Sequence, residues 1–388
     1  MRLNPVLDEL GTYPFVRLTQ AKREAAARGV DLIDFGLGEP REQTPAFIRE
    51  ALVEAVGREP VSAYPLAEGL PELRATIAAW AVHRFGAAVN PDSEIVPTLG
   101  SKEAIFSLAS VLVDRGAGRD LIAVTTPGYP VPARGAAFAG AEVLELPLTP
   151  ANAFLPDLDA IGDEEWRRLA VVWVNYPNNP TAAAAPLAFY EDLAARCRAH
   201  DVVLASDEAY SELWFAGDPP VSALQVADRT GVIAFNTLSK RSSMPGYRCG
   251  FAAGDTELIA ALKRYRPSTG TAPQTFVQRA AIAAWGDEEH VVQTRERYAA
   301  KRRVVLPALE AAGLRSAGGD ATFFLWLRVP DGVDDAELAA AWLEQGIVLA
   351  PGSFFGPAGT GYVRAALVPT LEACERAAAI LDGIEIPA

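Results

Sequence analysis

Short apolar runs alternate with amphipathic segments through the middle of the chain. Apolar and β-branched runs predict strands at 94–99, 121–125, 142–146, 170–175, 202–206, 232–236 and 250–253. Segments between them, such as 101–113 and 186–200, carry apolar residues at helical spacing, and Pro186 stands where a helix can begin. Apolar strands that alternate with helices indicate an α/β fold with a mostly parallel sheet sandwiched by helices. Ligands of such a sheet bind where its strands end.

The last hundred residues show a different pattern. A charged segment at 287–312 predicts a long helix, and alternating runs at 322–329, 346–350 and 361–366 predict strands. This mixture is typical of a smaller α+β unit. We therefore expect a large domain at 46–286, and a small domain formed by residues 1–45 together with 287–388.

Composition and charge narrow the possible functions. The chain has 388 residues, half of them apolar, and a net charge of −14. Such acidity argues against a nucleic-acid partner. Three cysteines and three histidines are scattered without metal-ligand or disulfide spacing, so we expect no metal. No apolar signal core begins the chain and no run approaches the roughly 20 residues that span a bilayer, so we expect a cytoplasmic protein without membrane contact.

Three polar segments follow predicted strands directly. Lys240 lies in a Ser-, Pro- and Gly-rich stretch after the strand at 232–236, where a lysine alone is usually a solvated loop residue. Asp207 follows the strand at 202–206, as a helix cap or as a buried carboxylate that needs a cationic partner. The Asn- and Pro-rich segment 175–181 is a turn-rich loop or a source of amide donors.

Taken together and in order, these motifs resemble the class I/II, fold-type I pyridoxal-phosphate aminotransferases over nearly the whole chain. The matching residues are Thr237, Ser239, Lys240 and Arg248 for the Ser-x-Ser-Lys motif with its later arginine, Asn175 to Thr181 for the Asn-x-Pro-x-Asn-Pro-Thr loop, Asp207 and Tyr210 for Asp-x-x-Tyr, and the late Arg364. Thr237 replaces the usual serine and keeps its hydroxyl. Ala182 replaces the usual glycine after the loop, so a positive φ there would be strained.

The resemblance implies catalytic and cofactor-binding roles. Lys240 would bind pyridoxal 5′-phosphate as a Schiff base and move the substrate proton, and Asp207 would pair with the ring nitrogen. Asn179 and Tyr210 would hydrogen-bond the phenolic oxygen, and Tyr129 would stack on the ring. The expected phosphate ligands are Ser101, Lys102, Thr237, Arg248 and, lent by a second subunit of a homodimer, Tyr64. Ser239 is also expected to bind the cofactor.

The resemblance also implies a substrate site. Arg364 would bind the substrate α-carboxylate in a bidentate manner, with Gly38 and Asn179 beside it. Further segments are most similar to N-succinyl-LL-diaminopimelate aminotransferases of lysine biosynthesis, which use glutamate and 2-oxoglutarate. Lys102 is then the first candidate for a distal carboxylate, with Arg17 and Arg266 as weaker ones, although Lys102 is equally well a solvated helix-start lysine.

Other functions stay open at this point. The same motifs suit an aspartate or other amino-acid aminotransferase, and a pyridoxal-phosphate-dependent carbon–sulfur β-lyase. A nicotinamide oxidoreductase is disfavoured because no Gly-x-Gly-x-x-Gly follows a strand. An aminotransferase-like transcriptional regulator is disfavoured by the acidity and by the short segment before the large domain.

Overall fold

The computed structural model describes residues 2–10, 14–58 and 63–386. Its helices are α1 (Val6–Glu9), α2 (Pro14–Ala27), α3 (Ala46–Arg58), α4 (Pro71–Phe85), α5 (Gly100–Leu112), α6 (Val131–Ala139), α7 (Asp163–Arg168), α8 (Leu187–Ala199), α9 (Leu238–Arg241), α10 (Thr256–Thr269), α11 (Thr275–Trp285), α12 (Glu289–Ala311), α13 (Asp335–Glu344) and α14 (Leu371–Leu381). Its strands are β1 (Ile33–Asp34), β2 (Ile95–Thr98), β3 (Leu121–Thr126), β4 (Glu142–Pro147), β5 (Leu169–Asn175), β6 (Val203–Asp207), β7 (Val232–Thr237), β8 (Gly250–Gly254), β9 (Arg315–Ser316), β10 (Phe324–Arg328), β11 (Ile347–Val348), β12 (Ala350–Pro351) and β13 (Tyr362–Ala366).

A seven-stranded sheet forms the centre of the larger part, in the order β2-β8-β7-β6-β5-β3-β4. All neighbouring strands are parallel except β8, which runs against both β2 and β7. The inner strands β3, β5 and β7 are buried along their whole length. This burial explains their unbroken apolar sequence, because helices cover both faces of the sheet. The predicted α/β class and mostly parallel sheet are confirmed.

A smaller antiparallel sheet, in the order β12-β13-β10-β9, lies in the C-terminal part. It packs with α12, α13 and α14 around one core that includes Leu325, Leu338 and Trp342. The parallel pair β1–β11 ties the N-terminal segment to this part, with Ile33 opposite Ile347.

The predicted strands are all present, with one difference at 346–350. Residues Ile347–Val348 pair with β1, whereas Ala350–Pro351 pair with β13. The chain passes from one sheet to another at Leu349. The sequence does not reveal this change, because both strands are buried and the run is apolar throughout. Pro186 lies at the N-cap of α8 and not inside its first turn. Within the described ranges, no helix is both long enough and apolar enough to cross a bilayer.

Candidate active site

A cavity of about 310 Å³ lies at the edge of the large sheet where its parallel strands end. Its walls include every predicted site residue except Tyr64: Gly38, Ser101, Lys102, Tyr129, Asn179, Asp207, Tyr210, Thr237, Ser239, Lys240, Arg248 and Arg364. Tyr64 lies outside it and is 99% exposed. The structure therefore gathers into one place residues that are up to 326 positions apart, from Gly38 to Arg364.

The sheet register explains this gathering. Asn175 at the end of β5 lies opposite Asp207 at the end of β6. Thr237, which ends β7, pairs with Gly250 at the start of β8. Because β8 is reversed, the residues just before it, including Arg248, lie at the same edge as Lys240.

Lys240 lies in α9, a single turn that begins directly after β7. Thr237 caps this turn by accepting a hydrogen bond from the backbone N–H of Ser239. The Lys240 ammonium donates to the carbonyl oxygen of Gly38 over 2.7 Å. Burial and the charge of Arg364 lower the pKa of Lys240 to about 8, against the opposing effects of Glu39 and Asp207. A lysine with this pKa is partly neutral near pH 7 and can accept a proton.

Asp207 is buried at the end of β6, with 6% of its surface exposed. Its side chain accepts one hydrogen bond, from the backbone N–H of Ala209 at 3.2 Å. Burial raises the pKa of Asp207 to about 7, while that hydrogen bond and the charge of Lys240 lower it in part. No cation of the described chain forms an ion pair with this carboxyl. A buried carboxylate with this little compensation fits a cationic ligand group.

Arg364 connects the two sheets at the cavity. Its guanidinium donates to the side-chain oxygen of Asn179 at 2.9 Å and to the carbonyl oxygen of Gly36 at 2.8 Å. The rings of Phe324, Phe355 and Phe15 surround the guanidinium at 4.2, 4.6 and 5.5 Å from their centroids. Such rings attract a cation while keeping water away. The amide nitrogen of Asn179 has no partner in the described chain, which leaves a donor for a ligand.

The N-terminus of α5 forms one end of the cavity. Gly100 begins this helix with a φ of +67°, and a side chain at this position would meet the Arg248 guanidinium at 2.5 Å. Arg248 itself has a φ of +54° and donates to the carbonyl oxygens of Leu99 and Pro245. Thr237 and Ser239 place two hydroxyls 2.9 Å apart nearby. Free helix N–H groups, a guanidinium and hydroxyls together form a suitable site for a phosphate.

Lys102 lies in the first turn of α5 and lines the same cavity. It makes no hydrogen bond or ion pair with the described residues. Its pKa is lowered, mainly by burial and also by Arg248 and Arg134. The two weaker candidates are placed differently: Arg266 is fully buried with Glu103 and the carbonyls of Ala67 and Pro97, and Arg17 is exposed on α2.

Sequence reasoning missed two features of the cavity. The Asn175 side chain links two site residues. It donates to the carbonyl oxygen of Asp207 at 2.8 Å and accepts from the backbone N–H of Asn179 at 2.8 Å. The aromatic wall around Arg364 was also missed, because phenylalanines in apolar runs are normally core residues. Ala182 does have a positive φ of 59°, as expected from its place after the Asn-Pro-Thr loop.

The fold and the cavity define an enzyme with a lysine and a buried carboxylate at the edge of an α/β sheet. Residues 30–381 match the family model described as aminotransferase class I and II. The chain belongs to this family, whose members depend on pyridoxal phosphate.

Individual relatives cover almost the full length. An LL-diaminopimelate aminotransferase of Nitratidesulfovibrio vulgaris is 41% identical, over 93% of this chain and 94% of that protein. The solved structure of an aminotransferase from Neisseria meningitidis has a TM-score of 0.88 and 36% identity, covering 98% of this chain and 99% of that one. A probable N-succinyldiaminopimelate aminotransferase of Thermus thermophilus has a TM-score of 0.86 and 32% identity, covering 95% and 99%.

The residues of the cavity fit pyridoxal phosphate. Glycine at position 100 lets the Arg248 guanidinium approach the N-terminus of α5, since a side chain there would displace it. The carboxyl of Asp207 suits a protonated ring nitrogen, and the amide nitrogen of Asn179 suits a phenolic oxygen. The amine of Lys240 lies on the same cavity wall for the aldehyde.

Proposed function

We propose that this aminotransferase transfers the amino group of glutamate to the 2-oxo precursor of LL-diaminopimelate in lysine biosynthesis, forming LL-diaminopimelate and 2-oxoglutarate. The relative from N. vulgaris that carries this name supports the free LL form of the substrate. The T. thermophilus neighbour supports the N-succinyl form that the sequence motifs favoured, which is the second candidate. Both substrates carry a carboxylate far from the reacting carbon.

The observation that carries this proposal is a second positive end of the cavity. Arg364 accounts for one carboxylate, and Arg248 with the α5 N-terminus accounts for the phosphate. The ammonium of Lys102 then remains without an anionic partner in the described chain. The Lys102 side chain is exposed, but partial burial and the charges of Arg248 and Arg134 lower its pKa. An anion would offset these effects, so a distal carboxylate is the group that best fits this end.

The residues of the chain divide the chemistry among them. Bound pyridoxal phosphate supplies an aldehyde for the amino group and an electron-withdrawing ring. The Asp207 carboxylate keeps the ring nitrogen protonated, because in this buried place an ion pair is favoured over an isolated charge. The Lys240 amine, once released, would take the proton from the substrate Cα and deliver it to C4′ of the cofactor. Arg364 holds the α-carboxylate so that this carbon faces the lysine.

We further propose that the active protein is a homodimer in which Tyr64 reaches the phosphate of the neighbouring subunit. Tyr64 is almost fully exposed and lies apart from the cavity of its own chain. Exposed apolar residues in the same region, including Val53, Val56 and Leu66, are consistent with a surface that a second copy covers.

Half-reactions on the purified holoenzyme test the substrate. LL-diaminopimelate, N-succinyl-LL-diaminopimelate, glutamate, aspartate and alanine are each added without an oxo acid, and the change in cofactor absorbance is followed. We expect LL-diaminopimelate and glutamate to react fastest. A dominant response to aspartate alone would move the proposal to an aspartate aminotransferase.

Two other outcomes are informative. Reaction with the succinylated form and not with the free form would reinstate the second candidate. Release of pyruvate and thiol from cystathionine without an oxo-acid acceptor would assign the protein to the carbon–sulfur β-lyases and overturn the proposal.

A further inference from the structure

Three residues form a hydrogen-bonded chain beneath the turn that carries Lys240. Ser242 and His290 are joined through the Ser242 hydroxyl and His290 Nε2 at 2.8 Å. His290 Nδ1 lies 2.5 Å from Asp287 Oδ1, and the same oxygen accepts from the backbone N–H of His290 at 3.0 Å. Ser242 is fully buried and His290 is 5% exposed. We refer to Asp287, His290 and Ser242 as the relay.

The relay ends two residues after the lysine, at the C-cap of α9. This helix has only four residues, too few to be stable on its own, so its orientation depends on tertiary contacts. Ser243, the next residue, has a φ of +49°, which also has to be maintained from outside the turn. Contacts that hold residues 241–243 therefore set the direction from which Lys240 enters the cavity.

The neighbouring residues are held from two other sides. Arg241 is fully buried and donates to the carbonyl oxygen of Ala284 and to Glu288, so it is fixed to the α11–α12 connection. The Ser243 carbonyl oxygen accepts from the Thr44 hydroxyl at 2.6 Å. Thr44 belongs to the segment whose Gly38 carbonyl accepts from Lys240. The relay supplies the remaining support, from the first turn of α12.

A serine, a histidine and an aspartate in this order also form the nucleophilic triad of serine hydrolases. Burial excludes that role here. The Ser242 side chain has no exposed surface, and the groove lined by Asp287 and His290 does not include it. A substrate carbonyl cannot reach the hydroxyl, so the arrangement serves to hold the chain.

We propose that His290, oriented by Asp287, is a positioning residue for Lys240 and acts through its hydrogen bond with Ser242. The proposal rests on the role of Lys240 as the cofactor lysine, but not on which amino acid is the substrate. His290 touches neither the cavity of Lys240 nor its ligands, which distinguishes it from the catalytic residues.

The charges around the relay favour one protonation state. Burial lowers the pKa of His290, although Asp287 and Glu212 oppose this, and the nearby Arg241 lowers it further. The imidazole is then neutral, with Nδ1–H donating to Asp287 and Nε2 accepting from the Ser242 hydroxyl. The Phe47 ring covers the imidazole edge-on at 5.5 Å. The tautomer that the relay needs is thus the one that its surroundings stabilise.

Two substitutions of His290 by residues of similar shape separate its contact with Ser242 from its contact with Asp287. His290→Gln places an oxygen near the position of Nε2, so it keeps the Ser242 contact and loses the Asp287 contact. His290→Asn keeps a donor for Asp287 and loses Ser242. Ser242→Ala removes the same contact from the other side with little change in volume. Gln293→Ala, at an exposed position on α12, is the control.

Borohydride reduction and peptide mapping of the wild type first establish that Lys240 carries the cofactor. For each variant, kcat and KM are then measured with an amino donor that the wild type accepts, together with the dissociation constant of pyridoxal phosphate and the pH midpoint of its visible absorbance. We expect Ser242→Ala and His290→Asn to lower kcat by about tenfold and to shift that midpoint, with KM within about twofold. His290→Gln should stay closer to wild type, and Gln293→Ala should match it.

Which of the two histidine variants has the lower kcat tests the proposal. If the relay only caps α12, then His290→Asn will be the milder variant and Ser242→Ala will be silent, which overturns the proposal. Equal losses in both histidine variants together with an unchanged absorbance midpoint would overturn it as well. Absence of the adduct at Lys240 in the wild type would instead refute the proposed role of that lysine.

Discussion

Arg364 donates a hydrogen bond to the side-chain oxygen of Asn179 over 2.9 Å. The first residue lies in β13 of the small sheet and the second lies in the loop after β5 of the large sheet. The bond fixes the amide of Asn179 so that its nitrogen faces the cavity. Arg364, which we expect to bind the substrate, thereby orients Asn179, which we expect to bind the cofactor.

Replacing Arg364 tests its proposed role. We expect Arg364→Lys to lower kcat/KM for amino acids about tenfold or more, because hydrogen bonds to charged groups contribute roughly 1.5–3 kcal/mol and a lysine cannot form the paired contact. Arg364→Ala should be worse. Simple amines without a carboxylate should react almost as before, and equal losses for amines and amino acids would place Arg364 outside the carboxylate site.

Removing the amine of Lys240 should almost abolish turnover. We expect Lys240→Ala to lose at least about 10²- to 10⁴-fold from proton transfer alone. Lys240→Arg keeps the charge but not the nucleophile and should lose as much. Stopped-flow assays of the half-reaction provide the measurement, and near-normal rates in the arginine variant would show that the charge suffices.

Asp207 gives a prediction for stability. Its pKa rises from 3.8 in the unfolded chain to about 7 in the folded protein. The folded chain therefore binds this proton more tightly than the unfolded chain does. The stability that this gives is fully present below pH 3.8 and is lost as the pH rises to about 7. We expect cofactor-free Asp207→Asn to have a higher free energy of unfolding than wild type at about pH 8, by on the order of 1–3 kcal/mol, and a similar one near about pH 4.

Pyridoxal phosphate should reverse this order, because the ring nitrogen then pairs with the ionised carboxyl. Urea unfolding at both pH values, with and without cofactor, measures the effect. Glu208 is the control: it is buried next in the chain, burial raises its pKa to about 7, and it lies outside the cavity lining. We expect the free energy of unfolding of Glu208→Gln to differ from wild type with pH in the same way as that of Asp207→Asn. Its stabilisation by the cofactor should match that of wild type.

Lys102→Met separates the substrate from the phosphate. If Lys102 binds a distal carboxylate, its loss should raise KM for diaminopimelate and glutamate about tenfold and leave alanine unchanged, since one charged contact contributes roughly 1.5 kcal/mol or more. Steady-state kinetics with the three donors measure this. A uniform loss with weaker cofactor binding would assign Lys102 to the phosphate. Lys263→Met, at a half-buried lysine that donates to the Asp92 carbonyl, controls for the lost charge.

Tyr64 can be tested by mixing subunits. Tyr64→Phe should weaken pyridoxal phosphate binding by about tenfold, as expected for one hydrogen bond to a charged group. A heterodimer of Tyr64→Phe and Lys240→Ala subunits should contain one intact site if the tyrosine is shared. Equilibrium titration with cofactor would then show one site of wild-type affinity. Two impaired sites would mean that each tyrosine serves its own chain.

The strands and the polar residues at their ends could be predicted from the sequence, since an apolar run followed by a polar residue marks both. Lys240 and Asp207 are examples. The role of Asn175 depends on its register opposite Asp207, which no local pattern contains. The relay joins Ser242 to a histidine 48 positions away. Phe324 and Phe355 were missed for another reason: an apolar residue in a strand or loop looks the same whether it faces the core or a guanidinium.

The reversed direction of β8 limits how this region can be re-engineered. After Lys240 the chain leaves the edge of the large sheet, and it returns to that edge at Arg248. The pairing of β7 with β8 fixes the strands at both ends of this segment. An inserted or deleted residue would change the separation between the amine and the guanidinium. Libraries that keep the length of this segment, together with Arg241 and Ser242, should therefore yield many more active enzymes than libraries that vary its length.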